Sequence, residues 1–252
     1  VDSLLGTLSK AQTSFMCLFS GQGLGNDEDQ RRLRLENENP KGSSGDVQWT
    51  NVLLALNVGA YLAQLATRGK LLLWGAKVNN LIDQGQFWRL ATSSFLHANI
   101  LHLMVNCFSL YNMGPTMEKL LGKQRFLAVY LGSAVAGSSM SYFFSQSPAV
   151  GASGAIFGLV GSSALFFLRH ANLIKSGAEE AANIVRIVAV NIILGSCIPG
   201  IDNWGHVGGL LGGIAVTWFL GPAWQPELRE DGKCILRDEA PVFRLIGTKK
   251  TG

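Results

Sequence analysis

Gly151-Ala152-Ser153-Gly154-Ala155-Ile156-Phe157-Gly158 opens one apolar run of this sequence, and Asn203-Trp204-Gly205-His206-Val207-Gly208-Gly209 opens another. In each run glycines recur at helical spacing. Gly154, Gly158 and Gly161 are four and three apart. Gly205, Gly209 and Gly213 repeat every four, and Gly208 and Gly212 form a second column. Small residues at this spacing let two helix backbones approach closely in lipid. One helix would present Ser153 and the other His206, so the two stretches predict a membrane bundle with a polar pair at its centre.

The surrounding sequence supports a membrane setting. Only 15% of the 252 residues are charged and 30 are Gly. Soluble domains carry about 25% charged residues, and Gly is commoner in membrane helices. Apolar runs lie at 50–67, 93–113, 126–145, 153–168, 184–199 and 205–221, against a need of about 20 residues per span. The expected fold is all-α: a polytopic six-transmembrane-helix bundle over residues 50–221. A polar N-terminal tail (1–49), with a brief apolar patch at Met16 to Phe19, precedes it. A C-terminal tail (222–252) follows, and its Leu228-to-Arg237 charge mixture reads as a docking element or a disordered end. Leu71-Leu72-Leu73-Trp74, between Lys70 and Lys77, reads as an interfacial segment, where Trp74 and Trp88 suit the membrane–water boundary.

Six spans put both tails on one side, and the basic residues agree. Arg31, Arg32, Arg34 and Lys41 precede the first span. Lys119, Lys123 and Arg125 follow the second, Arg169 and Lys175 the fourth, and Arg229, Lys233 and Arg237 the sixth. Only the first loop breaks the pattern, with Arg68, Lys70, Lys77 and Arg89. The net charge of +4 is spread over tails and loops, so no nucleic-acid partner is expected. Cys17, Cys107, Cys197 and Cys234 show no metal-ligand spacing, so no metal or cofactor is expected. Cys107 and Cys197 read as small buried thiols.

With this topology the fourth and sixth spans both begin on the outer side, so Ser153 and His206 share a depth. A serine nucleophile needs its base within about 3 Å, a distance that glycine-lined packing allows. A lone membrane Ser or His is ordinarily a packing residue; the matched depth and facing glycines set this pair apart. Ala155 stands where the soluble nucleophile elbow would need Gly, and no strand pattern precedes Ser153, which excludes an α/β-hydrolase. On the second span His102 and Asn106 are four apart and share one face. Both are candidate oxyanion donors, as is the Ser153 N–H near its helix start. Asp202, a loop residue near His206, reads as solvated. Polar loops near Ser147 and Asn203 are candidate routes for water.

At these residues the sequence resembles the rhomboid family of intramembrane serine proteases. The matching features are Trp88-Arg89 in the first loop, His97, His102 and Asn106 on the second span, and Glu118 with Gly122 after it. Gly151-Ala152-Ser153-Gly154 matches the family's Gly-x-Ser-Gly motif, and Gly205-His206 its base motif. The resemblance implies a Ser153–His206 dyad without a third acidic member, an oxyanion site of His102, Asn106 and the Ser153 amide, and structural support from Gly151 and Gly154. It implies a first loop lying partly in the membrane and acting through Trp88, Arg89 and Glu118. Its substrates would be single-span membrane proteins with a locally unstable helix. The chain is similar to the plant plastid branch, which implies the chloroplast inner envelope, both tails in the stroma and a transit segment ahead of Val1; mitochondrial and bacterial membranes stay open. The alternatives are a non-catalytic relative that binds membrane proteins or lipids, and a small-solute transporter, for which no internal repeat is evident. No motif encodes the natural substrate or the oligomeric state.

Overall fold

The computed structural model describes residues 48–174, 177–228 and 234–245. Residues 1–47 of the expected N-terminal tail, with Cys17, lie outside the described residues, as do Lys175 and residues 229–233. The helices are α1 (Gln48–Ala66), the short first-loop helices α2 (Lys70–Gly75), α3 (Asn79–Asp83) and α4 (Arg89–Thr92), then α5 (Ile100–Leu121), α6 (Lys123–Phe144), α7 (Ser153–Arg169), α8 (Gly177–Cys197), α9 (Asn203–Leu220) and the short α10 (Pro241–Leu245). Strands β1 (Trp224–Leu228) and β2 (Cys234–Asp238) pair as an antiparallel hairpin.

The six long helices form an all-α polytopic membrane bundle. Helices α6 and α8 are individually long and apolar enough to cross a bilayer, and α7 is apolar but shorter. Each long helix turns a large apolar side chain outward: Leu62, Tyr111, Phe143, Leu168, Ile193 and Trp218 are all exposed. In water such a surface would aggregate; in lipid it is at home. Inside, α9 packs most extensively on α6 and α7, α8 lies chiefly on α7, and α1 on α5. Tyr130, Phe126, Leu110, Met117, Phe157 and Phe166 anchor the buried core.

The second span starts later than the apolar run predicts. Asn99 accepts a hydrogen bond from the His102 N–H at 2.8 Å, capping α5 there, and the helix continues through Pro115 to Leu121. His97, expected on the span, therefore precedes it. Its backbone is clasped by one amide: Gln64 Nε2 donates to the His97 carbonyl at 2.9 Å, and the His97 N–H donates to Gln64 Oε1 at 3.0 Å.

Glu118 acts at the other end of α5 rather than on the first loop. Its Oε1 accepts from the Gln48 and Trp49 N–H groups at 3.1 and 2.9 Å. Its Oε2 accepts from the Thr50 N–H and hydroxyl, both at 2.9 Å. A buried carboxylate thus satisfies the orphan donors that open α1, where the helix dipole favours negative charge.

The described residues after α9, 221–228 and 234–245, pack onto the bundle. Arg125 pairs with Asp238 Oδ2 at 2.6 Å, and Asp238 Oδ1 accepts from the Ala223 and Ala240 N–H groups. At the end of α7, His170 Nδ1 donates to the Phe166 carbonyl at 2.8 Å, and its Nε2 accepts from the Trp224 N–H at 3.0 Å. Arg169 donates to the carbonyls that close α9, with Trp218 O nearest at 2.9 Å.

Candidate active site

Glycine decides how closely the central helices meet. A Cβ at Gly209 would lie 2.0 Å from the Gly154 carbonyl oxygen, and one at Gly213 the same distance from that of Gly158. The α7 and α9 backbones therefore touch along the predicted columns. The second column, Gly208 and Gly212, faces α6: their Cβ atoms would meet Met140 and Ala136 at 2.5 Å. Gly137 on α6 closes the triangle, since its Cβ would lie 2.6 Å from the Gly205 carbonyl. This contribution of α6 was not anticipated, because Gly137 lacks an obvious repeat around it.

At the head of this seam Ser153 begins α7 and His206 sits in the first turn of α9. His206 Nε2 and Ser153 Oγ are 2.9 Å apart. With the neutral ring protonated on Nδ1, the Ser153 hydroxyl donates to Nε2. The His206 ring stacks on Phe157, one turn beyond Ser153, with centroids 4.4 Å apart and planes 7° from parallel. Its Nδ1 has no hydrogen-bond partner among the described residues. Asp202 does not orient the ring. Half-exposed at the cleft, its carboxylate caps α9 by accepting from the Gly205 N–H at 3.1 Å.

His102 and Asn106 are brought to the same place. Gly151 has φ +133°, and a Cβ there would lie 2.6–2.7 Å from the His102 ring atoms and 3.8 Å from Asn106 Nδ2. Only glycine fits so tight an approach, two residues before Ser153. Asn106 Nδ2 spends one N–H on the His102 carbonyl at 3.0 Å; an amide nitrogen carries two. The Ser153 N–H, in the first helical turn, has no intrahelical acceptor. His97 packs edge-on to His102 with centroids 5.2 Å apart.

A small cleft of about 30 Å³ opens beside the pair, lined by Ser93, Ser138, Gly151, Ser153, Asp202 and Gly205 among others. Its lining draws on Ala149 and Val150 from the loop that holds Ser147, on Asp202 beside Asn203, and on Ser93 and Ser94 just before the second span. Asn203 is occupied elsewhere, donating to Ser196 Oγ at 2.7 Å and the Ile192 carbonyl at 3.2 Å on α8. Cys197 is exposed, contrary to the expected buried thiol, because it closes α8 at the loop; Cys107 is half-buried.

The first loop is a folded unit. Trp88 stacks on Trp74, centroids 5.8 Å apart, and both are exposed with Leu73 and Phe87. Arg89 is buried and donates to the Leu73 and Ala76 carbonyls at 2.9 and 2.7 Å, and to Gln86 Oε1 at 2.9 Å. Lys77 is likewise buried against carbonyls. Two of the four basic residues that broke the charge pattern are therefore internal caps; Arg68 and Lys70 remain exposed.

Comparison with known proteins identifies the family. A family model described as Rhomboid domain matches residues 84–223. The chain is 38% identical over 177 residues to rhomboid protease GluP of Bacillus subtilis (strain 168), covering 70% of this chain and 34% of that protein. It is 32% identical over 186 residues to RHOMBOID-like protein 9, chloroplastic, of Arabidopsis thaliana, covering 69% and 43%. It is 33% identical over 190 residues to rhomboid-like protease 1 of Toxoplasma gondii, covering 71% and 65%. The chain thus spans between 34% and 65% of the length of these relatives. The family model covers more than half of the 252 residues, and on that match the chain belongs to the rhomboid family.

Proposed function

We propose that this chain is an intramembrane serine endopeptidase that cuts the membrane segments of other membrane proteins. The observation that carries the proposal is the 2.9 Å approach of Ser153 Oγ to His206 Nε2 inside a helical bundle. Ser153 Oγ attacks the scissile carbonyl carbon while its proton passes to His206 Nε2. The carbonyl oxygen becomes an oxyanion. The Ser153 N–H, the free Asn106 Nδ2–H and the His102 ring are its donors, grouped around Gly151. Collapse breaks the peptide C–N bond, His206 returns the proton to the leaving amine, and an acyl group stays on Ser153. Water entering through the cleft then attacks the ester with His206 again as base, releasing the acid and restoring the hydroxyl. Stacking on Phe157 holds the ring where a third, acidic member would do so in soluble enzymes.

Substrates are membrane proteins whose helix unwinds locally, since an intact helix hides its peptide bonds from a nucleophile. The relatives named as proteases support the activity. The membrane is that of a plastid, the inner envelope, with both tails in the stroma. The plastid relative from Arabidopsis supports the organelle, and the basic residues on the tail side support the orientation. Immunogold localisation of the tagged chain to another organelle would remove that part of the proposal.

The activity is tested with a fluorophosphonate probe on the purified protein. Labelling is expected in the parent and absent in Ser153→Ala and His206→Ala. An unlabelled parent that is folded and membrane-inserted would point instead to the non-catalytic scaffold.

A further inference from the structure

Lys77 is a buried cation that the proposed chemistry does not use. It is fully buried, yet it belongs to the first loop, not to the bundle. Its Nζ donates to the Ser145 carbonyl at 2.8 Å and to the Ser147 carbonyl at 2.9 Å. Ser145 caps the C-terminal end of α6, where carbonyls are unpaired and the dipole favours a cation. Burial pulls the ammonium below the ordinary lysine value, and the Asp202 carboxylate, which lines the Ser153 cleft, opposes the shift.

The backbone of the same residue grips the same segment. The Lys77 N–H donates to the Ala149 carbonyl at 3.0 Å, and the Ala149 N–H donates to the Lys77 carbonyl at 3.1 Å. Around these bonds, Asn79 Nδ2 donates to the Tyr142 and Ser145 carbonyls at 2.9 and 3.1 Å. The Gly151 N–H donates to the Ser93 carbonyl at 3.0 Å. Residues 145–151 are therefore tied to the first-loop region at Ser145, Ser147, Ala149 and Gly151. That segment leads directly into Ser153, and its Gly151 lies against the His102 ring.

We infer that Lys77 is a positioning residue for the nucleophile: its ammonium and backbone together fix the segment from Ser145 to Gly151 that sets Ser153 and the Gly151 turn against His102. The inference rests on the Ser153–His206 reading above. A buried ammonium is costly unless its hydrogen-bonding capacity is used. An apolar side chain of equal length would have filled the space without that cost. What it would not supply is a link between the first loop and carbonyls at the end of α6.

The test is chemical rescue of Lys77→Ala. The variant is expected to react with the fluorophosphonate at least tenfold more slowly than the parent, and ethylammonium is expected to restore most of the rate where ethanol at the same concentration does not. Parental labelling in the variant, or slow labelling that ethylammonium leaves unchanged, would overturn the inference. Amide hydrogen exchange separates this from failure of the dyad reading, because it needs no activity. In Lys77→Ala, exchange over 145–153 should rise with protection in α6, α7 and α9 retained. If the parent is never labelled, the dyad reading fails; unchanged exchange over that segment would then sink the role of Lys77 as well.

Discussion

The His206 ring lies flat on the Phe157 ring, 4.4 Å between centroids and 7° from parallel, while its Nδ1 meets no acceptor among the described residues. On the side away from Ser153, orientation of the base thus comes from a face contact with Phe157 and not from an acceptor at Nδ1 among the described residues. Phe157 is one helical turn from Ser153, so the α7 helix that carries the nucleophile also aligns its base. Phe157→Leu keeps an apolar side chain but removes the flat surface. A stacked aromatic pair is worth ~0.5–1.5 kcal/mol, so kcat for cleavage of a single-span substrate should fall roughly three- to tenfold with KM within twofold. Steady-state kinetics in detergent or liposomes would measure both.

Asn106→Ala tests the oxyanion site. Loss of one such donor costs about 100- to 1000-fold in kcat in soluble enzymes. The same order is expected here, with thermal unfolding little changed, because the amide's one internal bond is to its own helix. A drop of less than tenfold beside complete loss in Ser153→Ala would make Asn106 a packing group.

The helix seam predicts a contrast between two glycines. At Gly209 an added Cβ would lie 2.0 Å from backbone that cannot rotate away, whereas at Gly59 it would meet nothing within 4 Å. Gly209→Ala should separate α7 from α9, abolish labelling of Ser153 and lower thermal stability by more than the usual 1–3 kcal/mol of overpacking. Gly59→Ala should be neutral or stabilise by about 0.5–1 kcal/mol through backbone entropy. Unfolding midpoints of the two variants decide it.

Glu118→Gln replaces one acceptor oxygen with a donor facing N–H groups at the start of α1. The expected loss is about 1–2 kcal/mol, as for a good N-cap. It should appear in the unfolding midpoint, with the labelling rate of the surviving folded protein close to parental.

Acid should loosen the C-terminal hairpin. His170 holds it as a neutral ring, with Nε2 accepting from Trp224. Burial lowers the His170 pKa from 6.5; the Phe166 carbonyl opposes this, Arg169 adds to it, and Asp238 opposes it. A depressed histidine binds its proton in the released state first, so docking is at full strength above pH 6.5. It weakens as pH falls from there through the docked-state value. Limited proteolysis across residues 224–238 should accelerate over that window. His170→Gln, whose amide oxygen can still accept, should flatten the dependence, and equal pH sensitivity in the variant would refute the assignment to His170.

Much of this molecule was legible in its sequence. Hydropathy marked out the six long helices, because burial of backbone polar groups in lipid leaves the helix as the available form for spans of this length. Glycine spacing identified the α7–α9 contact, because periodicity is a property of one chain segment at a time. The Ser153 and His206 positions followed from those two patterns together. The α5 helix starts several residues after its apolar run begins, since the Asn99 cap overrides a continuous apolar stretch.

What the tertiary structure alone decided are the partners of isolated polar groups. Nothing local distinguishes Lys77 or Arg89 from exposed loop cations, and they became internal caps only when the first loop folded onto carbonyls distant in sequence. Glu118 likewise found α1, and His170 found Trp224, 54 positions away. The Ser153–His206 approach has both origins. The sequence by itself determined that two glycine-faced helices could bring these side chains to one depth. Their 2.9 Å separation and the flat support from Phe157 were decided by three-helix packing with α6, because a distance of that kind depends on where every neighbouring backbone comes to rest.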